Sequence, residues 1–518
     1  MATRHQNPRI LMVTPEMTFV RYGMGSASRC ISARAGGLGD ICTAQIHALY
    51  EQGLDVHLAM PNYRNVFNTS GLHMRGIDIQ SRQCGLPKSH IHLAQDRSFY
   101  YHPKLFVTPD WENVRIALAF QREVINRIIP EVQPDLIHCY DWMTGLIPAF
   151  ARRNDIPCLF TLYRMDSPRL LLSSIEERGI DMASFWWHCF YSRMPGNYQE
   201  TRNTNHVDLL VSGIFAANQA CTLSQTFLNA LTEAHVNLAE PLLKIELQNK
   251  LRAGNLCAVP PAPDPSFNPS TDHALMRRYG PDTHYAGKLF NKLQLQENLN
   301  LPMDSAAPLC FWPTRLDGSR PGCRLMADTL PVILDRYREQ RLQVVFIADG
   351  DFQGHMHALI DRLHAMERAA VCDFDAERYR LAYAAADFVL MPLHHDPCAL
   401  PCKIGQRYGA LPIAFDAGAI HDCVEHLEPT ANRGTGFLFK HFDANGFLWA
   451  IDQAMGFCSR PHAFRSPQVQ RVMTDSLVRF DPGDTARHTI KLYGRALDRS
   501  LVHLKAAANL SAPPKIAA

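Results

Sequence analysis

The sequence predicts an α/β protein built from two doubly wound domains of comparable size. Three observations carry this expectation. Short apolar, β-branched runs alternate with helix-like stretches in two successive series. A proline-dense segment separates the series. At 518 residues, the chain also exceeds the length at which a single hydrophobic core keeps growing.

The first series opens with RILMVT (9–14), which reads as a strand. A glycine-rich segment, ARAGGLGDI (33–41), leads into a helix ending near Gln52, and LDVHLAMP (54–61) reads as the next strand. Parallel strands need a crossover of this kind, so the first sixty residues form a βαβ unit with its glycine loop at the strand's carboxyl end, where ligands bind in such folds. The segment RYGMGSASRCIS (21–32), just before that loop, reads as a surface loop. PDLIHCYDW (134–142), PCLFTLY (157–163), ACTLS (220–224) and NLCAVPP (255–261) each read as buried parallel strands.

PPAPDPSFNPSTD (260–272) packs five prolines into thirteen residues, which excludes regular structure and marks an interdomain connection. The second series has strands near LCFWPTRL (309–316), QVVFIADGD (343–351), AAVCDF (369–374), DFVLMP (387–392) and LPIAFD (411–416). DTARHTIKLYGRALDRSLVHLK (484–505) has helical periodicity, and SAPPKIAA is a loose tail. The expected domains are therefore 8–264, 265–483, and a C-terminal segment 484–518 whose helix packs back on the first.

Composition narrows the function. Acidic and basic residues nearly cancel, for a net charge of +2, and they are spread along the chain with no basic block for nucleic acid or a membrane surface. No stretch approaches a membrane span. The N-terminal apolar run is too short for a secretory signal and lacks a small-residue cleavage site. Fifteen cysteines fall at irregular spacings, which suits reduced core thiols in the cytoplasm.

The glycine loop admits two readings on its own residues. Gly36, Gly37 and Gly39 can let backbone amides approach an anion at the start of the following helix, or they can simply permit a tight strand-to-helix turn.

The AGGLGD loop, HCYDW with its trailing threonine, Arg315–Leu316, the ADGD turn, DPCAL followed by RYG, and GTGF at 434–437 stand in an order and spacing that resembles the bacterial glycogen/starch synthase family across roughly residues 9–500. The resemblance implies a GT-B fold, in which two Rossmann-like domains face a central cleft. It also implies transfer of glucose from ADP-glucose to an α-1,4-glucan with retention of configuration. The partners are then a nucleotide sugar and an α-glucan, and no metal or other cofactor is required.

By the same resemblance, Arg34 stands where the family has a lysine, and it joins Gly36, Gly37 and Gly39 in a substrate-facing loop. Asp141 matches an aspartate near the reacting carbon, although from its own context it would also serve as a helix N-cap. Tyr163 replaces a histidine that touches the donor sugar. Arg315 and Arg320 match the two cations that hold the ADP phosphates, where stabilising the leaving group's charge has most to offer. Pro321 follows them in place of a glycine and stiffens that loop.

Asp396 replaces a glutamate that contacts the donor sugar, on an arm one methylene shorter. Cys398, Ala399 and Leu400 stand where the family opens a helix with amides toward the phosphates. Ala399 replaces a glycine there and Pro401 a threonine. Gly418 remains from a pair of glycines on the phosphate side.

These substitutions support a second hypothesis, a GT-B homologue that binds glucan or nucleotide without catalysis. A phosphorylase would carry a lysine for pyridoxal phosphate in its second domain, and neither Lys403 nor Lys440 lies in a family-like stretch. His394, His395, Asp396, Cys398 and Cys402 are all plausible metal ligands within nine residues, but their spacing matches no common site.

Overall fold

The computed structural model describes residues 7–20, 31–33, 36–64, 66–67, 88–102, 105, 110–165, 168–233, 241–394, 396–498 and 501. It divides into two compact units. The first takes residues up to 261 except a short segment at 73–80, together with everything from Pro482 onward; the second spans Ala262–Asp481.

The first unit is built on a seven-stranded sheet. Its strands are β1 (Arg9–Val13), β2 (Asp55–Pro61), β3 (Ile91–Ala94), β4 (Leu136–Tyr140), β5 (Cys158–Thr161), β6 (Gln219–Thr222) and β7 (Leu256–Ala258). They lie in the order β7-β6-β5-β4-β1-β2-β3, and all pairs are parallel. The strands are short runs of Ile, Leu, Val, Met and Cys. Helices cover both faces of a parallel sheet, so such strands are buried on both sides and need no polar alternation. β1 and β4 show it, with Ile10, Leu11, Leu136 and Ile137 all fully buried.

From β1 the chain moves to β2 and β3 on one side, then returns to place β4 on the other. β1 and β4 thus flank the point where strand order reverses, which in open α/β sheets is where a crevice forms outside the strands' carboxyl ends.

The helix Pro482–Ala496 closes this unit from the far end of the chain. It packs on the helix Gly37–Glu51. Thr489 accepts a hydrogen bond from Gln45 at 2.8 Å, and the Tyr493 hydroxyl meets His138 Nδ1 at 2.7 Å. The other ring nitrogen of His138 meets Thr161 Oγ1 at 2.7 Å. His138 belongs to the HCYDW segment but points into the core, where burial pushes its pKa down to about 3. Two antiparallel pairs flank the sheet, Met17–Val20 with Ile31–Ala33 and Arg169–Leu171 with His206–Asp208.

The second unit repeats the plan with six parallel strands: β8 (Leu309–Trp312), β9 (Gln343–Ile347), β10 (Ala369–Cys372), β11 (Phe388–Met391), β12 (Leu411–Phe415) and β13 (Phe437–Phe439). Their order is β10-β9-β8-β11-β12-β13, so its switch point lies between β8 and β11. The proline-dense segment 260–272 contains no regular element. Among the described residues, no helix is long and apolar enough to cross a membrane.

Candidate active site

In the first unit the residues of interest gather at the carboxyl ends of β1 and β4. Asp141 directly follows β4 and is fully buried. Its backbone is held at φ 66°, ψ 172°, outside the regions a non-glycine residue ordinarily occupies. Its amide donates to Thr161 O at 3.0 Å. Thr144, the threonine trailing the motif, closes the turn by donating its hydroxyl to the carbonyls of Tyr140 and Asp141. The Asp141 side chain caps no helix. Instead it takes two bonds from one residue, the Arg164 amide at 3.2 Å and the Arg164 Nε at 2.8 Å.

Arg164 is the residue that sequence reasoning missed. It stands immediately after Tyr163, and its only signal was a cation placed directly beyond a buried strand. Burial alone would weaken its charge, but the neighbouring carboxylates of Asp141 and Glu16 outweigh that and hold it protonated. Tyr163 is half-buried and packs against the core of this unit.

Glu16 reshapes the glycine loop. Its Oε2 accepts the Gly36 amide at 3.1 Å, so that amide is already engaged and does not await an anion. Gly39 lies in the first turn of the helix Gly37–Glu51, and a Cβ there would sit 3.2 Å from the backbone nitrogen and hydroxyl of Thr18. For Gly39 the close approach of Thr18 accounts for the glycine, whereas Gly36 is extended at φ −176° with open space where a Cβ would sit. Gly37 begins the helix and is partly exposed. Arg34 and most of the 21–32 segment lie outside the described residues.

In the second unit, Arg315 and Arg320 occupy the loop after β8. Both are exposed, and the Arg315 guanidinium makes no hydrogen bond or ion pair with a described residue. Arg320 leans toward Asp317, with its Nε 3.7 Å from the carboxylate. Pro321 takes the first position of the helix Pro321–Arg336, where its missing N–H costs nothing. The stiffening expected there is thus spent on starting a helix. A Cβ on Gly322 would sit 2.2 Å from the Pro392 carbonyl oxygen, so the start of this helix is seated on the loop leaving β11.

That second loop carries Asp396. Its Oδ1 accepts the amides of Cys398 at 2.9 Å and Ala399 at 2.6 Å. The shortened arm has a physical consequence: the carboxylate folds onto its own loop, as aspartates do in turns. Ala399 sits at φ 50°, in the left-handed region that a glycine would enter freely. Pro401 contributes no donor, so the amides of Cys398 and Ala399 ahead of the helix Leu400–Tyr408 are committed to Asp396 and residue 401 offers none. Two of the amides expected to face phosphates, those of Cys398 and Ala399, are thus taken by Asp396, and the side chains of Cys398, Ala399 and Leu400 are themselves buried. Gly418 approaches the same loop: a Cβ there would meet the Asp396 carbonyl at 3.3 Å, and Ala419 donates to it at 3.4 Å.

The segment 394–402 forms no metal cluster among its described residues. His394 stacks on Phe415, Asp396 is engaged as above, Cys398 and Cys402 are buried, and His395 lies outside the described residues. Lys403 is buried beside the Phe480 ring.

Residues 9–244 match the family described as starch synthase catalytic domain. The chain is 27% identical over 496 residues to the glycogen synthase of Syntrophotalea carbinolica, an alignment covering 90% of this chain and 96% of that one. It is 26% identical over 457 residues to the glycogen synthase of Exiguobacterium sibiricum, covering 82% and 88%. Among solved structures, the catalytic domain of starch synthase IV from Arabidopsis thaliana, bound to ADP and acarbose, is similar with a TM-score of 0.75 at 19% identity, covering 95% of this chain and all of that one. Sucrose-phosphate synthase from Thermosynechococcus elongatus is similar at a TM-score of 0.58 and 15% identity, over 95% and 100%. At these identities the structural likenesses establish the GT-B fold.

Proposed function

We propose that this chain, which is similar to glycogen synthases and to the starch synthase catalytic domain, transfers glucose from ADP-glucose to the non-reducing end of an α-1,4-glucan, with retention. The observation that carries the reading is positional. In each unit the chemically capable side chains cluster at the switch point of the sheet: Asp141 and Arg164 beside β1 and β4, and Arg315, Arg320 and Asp396 beside β8 and β11. A plain scaffold has no need of exposed arginines there.

In this mechanism the bond between the anomeric carbon and the diphosphate breaks, and negative charge gathers on the departing ADP. Arg315 and Arg320 stabilise that charge without a metal. The committed amides at Gly36, Cys398 and Ala399 leave the diphosphate resting on side-chain cations more than on backbone. Asp141 is held in place by the two hydrogen bonds it accepts from Arg164, so its carboxyl oxygens are fixed where positive charge develops on the anomeric carbon. The acceptor hydroxyl oxygen bonds to the anomeric carbon as its proton leaves toward the phosphate. The nucleotide-sugar role of the second unit is supported by the ADP bound in the starch synthase IV structure. A cytoplasmic setting is supported by the described cysteines, all free thiols and mostly buried.

The test is transfer of labelled glucose from ADP-glucose, with UDP-glucose in parallel, onto a glycogen primer, with Arg315→Gln as the control. Turnover from ADP-glucose that the substitution suppresses supports the reading. Binding of glycogen or ADP without turnover from either donor refutes it and makes the chain a binding protein.

A further inference from the structure

We propose that the first unit carries a divalent-cation site, of the zinc class, formed by Asp55, His57 and His90 at the amino-terminal edge of β2 and β3. Asp55 opens β2, His57 is two residues on and so faces the same side of the strand, and His90 directly precedes β3. Asp55 Oδ1 lies 3.3 Å from His57 Nε2 and 3.7 Å from His90 Nδ1. Tetrahedral zinc, with ligands at about 2.0–2.1 Å, sets its donor atoms about 3.3 Å apart. Of the three donor pairs, Asp55–His57 already has that spacing, Asp55–His90 is a few tenths of an ångström wide, and His57–His90 lies within 4.8 Å. Two imidazoles and a carboxylate, with a fourth position left to water, are a donor set that zinc takes readily.

The surroundings support the same assignment. A metal-binding histidine needs its second ring nitrogen held so that the first keeps the right tautomer and direction. His57 Nδ1 is 2.9 Å from His92 Nε2, and His92 Nδ1 in turn faces Glu131 at 3.8 Å. A carboxylate ligand likewise needs its free oxygen anchored, and Arg9 Nε holds Asp55 Oδ2 at 3.1 Å. Arg9 is itself fixed by the Val132 carbonyl and by Asp135, which takes its backbone amide.

One movement accompanies loading. His90 Nδ1 lies 3.0 Å from the Val56 carbonyl, and its ring stacks on His57 with centroids 4.2 Å apart. To aim its lone pair at the ion, His90 turns off that carbonyl and the two rings splay. The strands run from this edge toward the end where Asp141 lies, about 3.3 Å per residue, so seven-residue β2 separates the site from the reacting edge. The ion would clamp the edge strand β3 to the sheet, a function distinct from glucosyl transfer.

The experiment is calorimetric titration of the untagged, metal-free full chain with Zn²⁺ alone, alongside His57→Gln, His90→Gln and, as a surface control, His357→Ala. We expect one equivalent bound with micromolar or tighter affinity, weakened at least tenfold in the two cluster variants and unchanged in the control. Co²⁺ loading of the wild type gives a readout independent of any variant's folding: a four-coordinate site with mixed nitrogen and oxygen donors produces intense visible absorption that Zn²⁺ displaces. Absence of stoichiometric Zn²⁺ binding, affinity equal in His57→Gln and wild type, or a Co²⁺ spectrum of the weak six-coordinate kind would each overturn the assignment.

Discussion

Replacing Arg164 with alanine tests the central electrostatic feature of the first unit. Asp141 has no exposed surface, and its carboxylate depends on Arg164 for its charge partner. Removing one member of a buried pair costs about 3–5 kcal/mol, because the other charge stays in low dielectric without compensation. The Arg164 side chain keeps 27% of its surface, and its backbone amide still donates in the variant, so the low end, roughly 3 kcal/mol, is expected. Asp141→Asn should cost less, about 1–2 kcal/mol, since Glu16 continues to favour the guanidinium. The double variant removes both charges and should recover about 2 kcal/mol relative to the sum of the singles. The assay is urea unfolding of the full chain, with hydrogen exchange on peptides spanning 136–165 and on β8–β13 to assign the loss to one unit. An Arg164→Ala cost below 1 kcal/mol, or an additive cycle, would refute the claim that the two side chains form one buried electrostatic unit.

Three further outcomes are expected. Asp396→Ala should destabilise the second unit by about 1–2 kcal/mol, because two amides lose their acceptor, whereas Asp396→Asn should cost under 0.5 kcal/mol; equal losses on denaturant unfolding would contradict the loop-anchoring role. His138 has its pKa pushed down to about 3 by burial, so the unfolded chain binds its proton first as pH falls; stability should be full above about pH 6.5 and fall by roughly 2–3 kcal/mol by pH 4.5. Thermal midpoints across that range should fall less steeply in His138→Gln. Arg315→Gln should raise the KM for nucleotide sugar by about 10–100-fold, the worth of a charge-assisted contact, and Arg320→Gln by less, since Asp317 already shares that cation; an unchanged KM for Arg315→Gln would remove it from the donor site.

Much of the architecture was legible in the sequence because buried parallel strands write themselves as short apolar runs. RILMV, LIHCY, QVVFI and LPIAF each became a strand. Ile91–Ala94 escaped because IHLA is four residues long with a histidine inside it, and Phe437–Phe439 because three residues carry no period. Met17–Val20 and Ile31–Ala33 pair around a small, polar segment that reads as loop. The candidate site was legible only as position, since Asp141, Arg315 and Asp396 all lie in loops that follow strand ends. Their partners were not. The Arg164 guanidinium, the Glu16 carboxylate on Gly36 and the folding of Asp396 onto its own loop are contacts created by three-dimensional closure. The same holds for His90, thirty-three residues beyond His57 and adjacent only because β3 pairs with β2.

The helix Pro482–Ala496 has a consequence for how the molecule is made. Its residues belong to the first unit, where Tyr493 and Thr489 bond to His138 and Gln45. During synthesis the ribosome therefore delivers the whole second unit before the piece that completes the first. The order of completion is the reverse of the order of translation: residues 262–481 can finish while the nascent N-terminal sheet still exposes the apolar face awaiting its last helix.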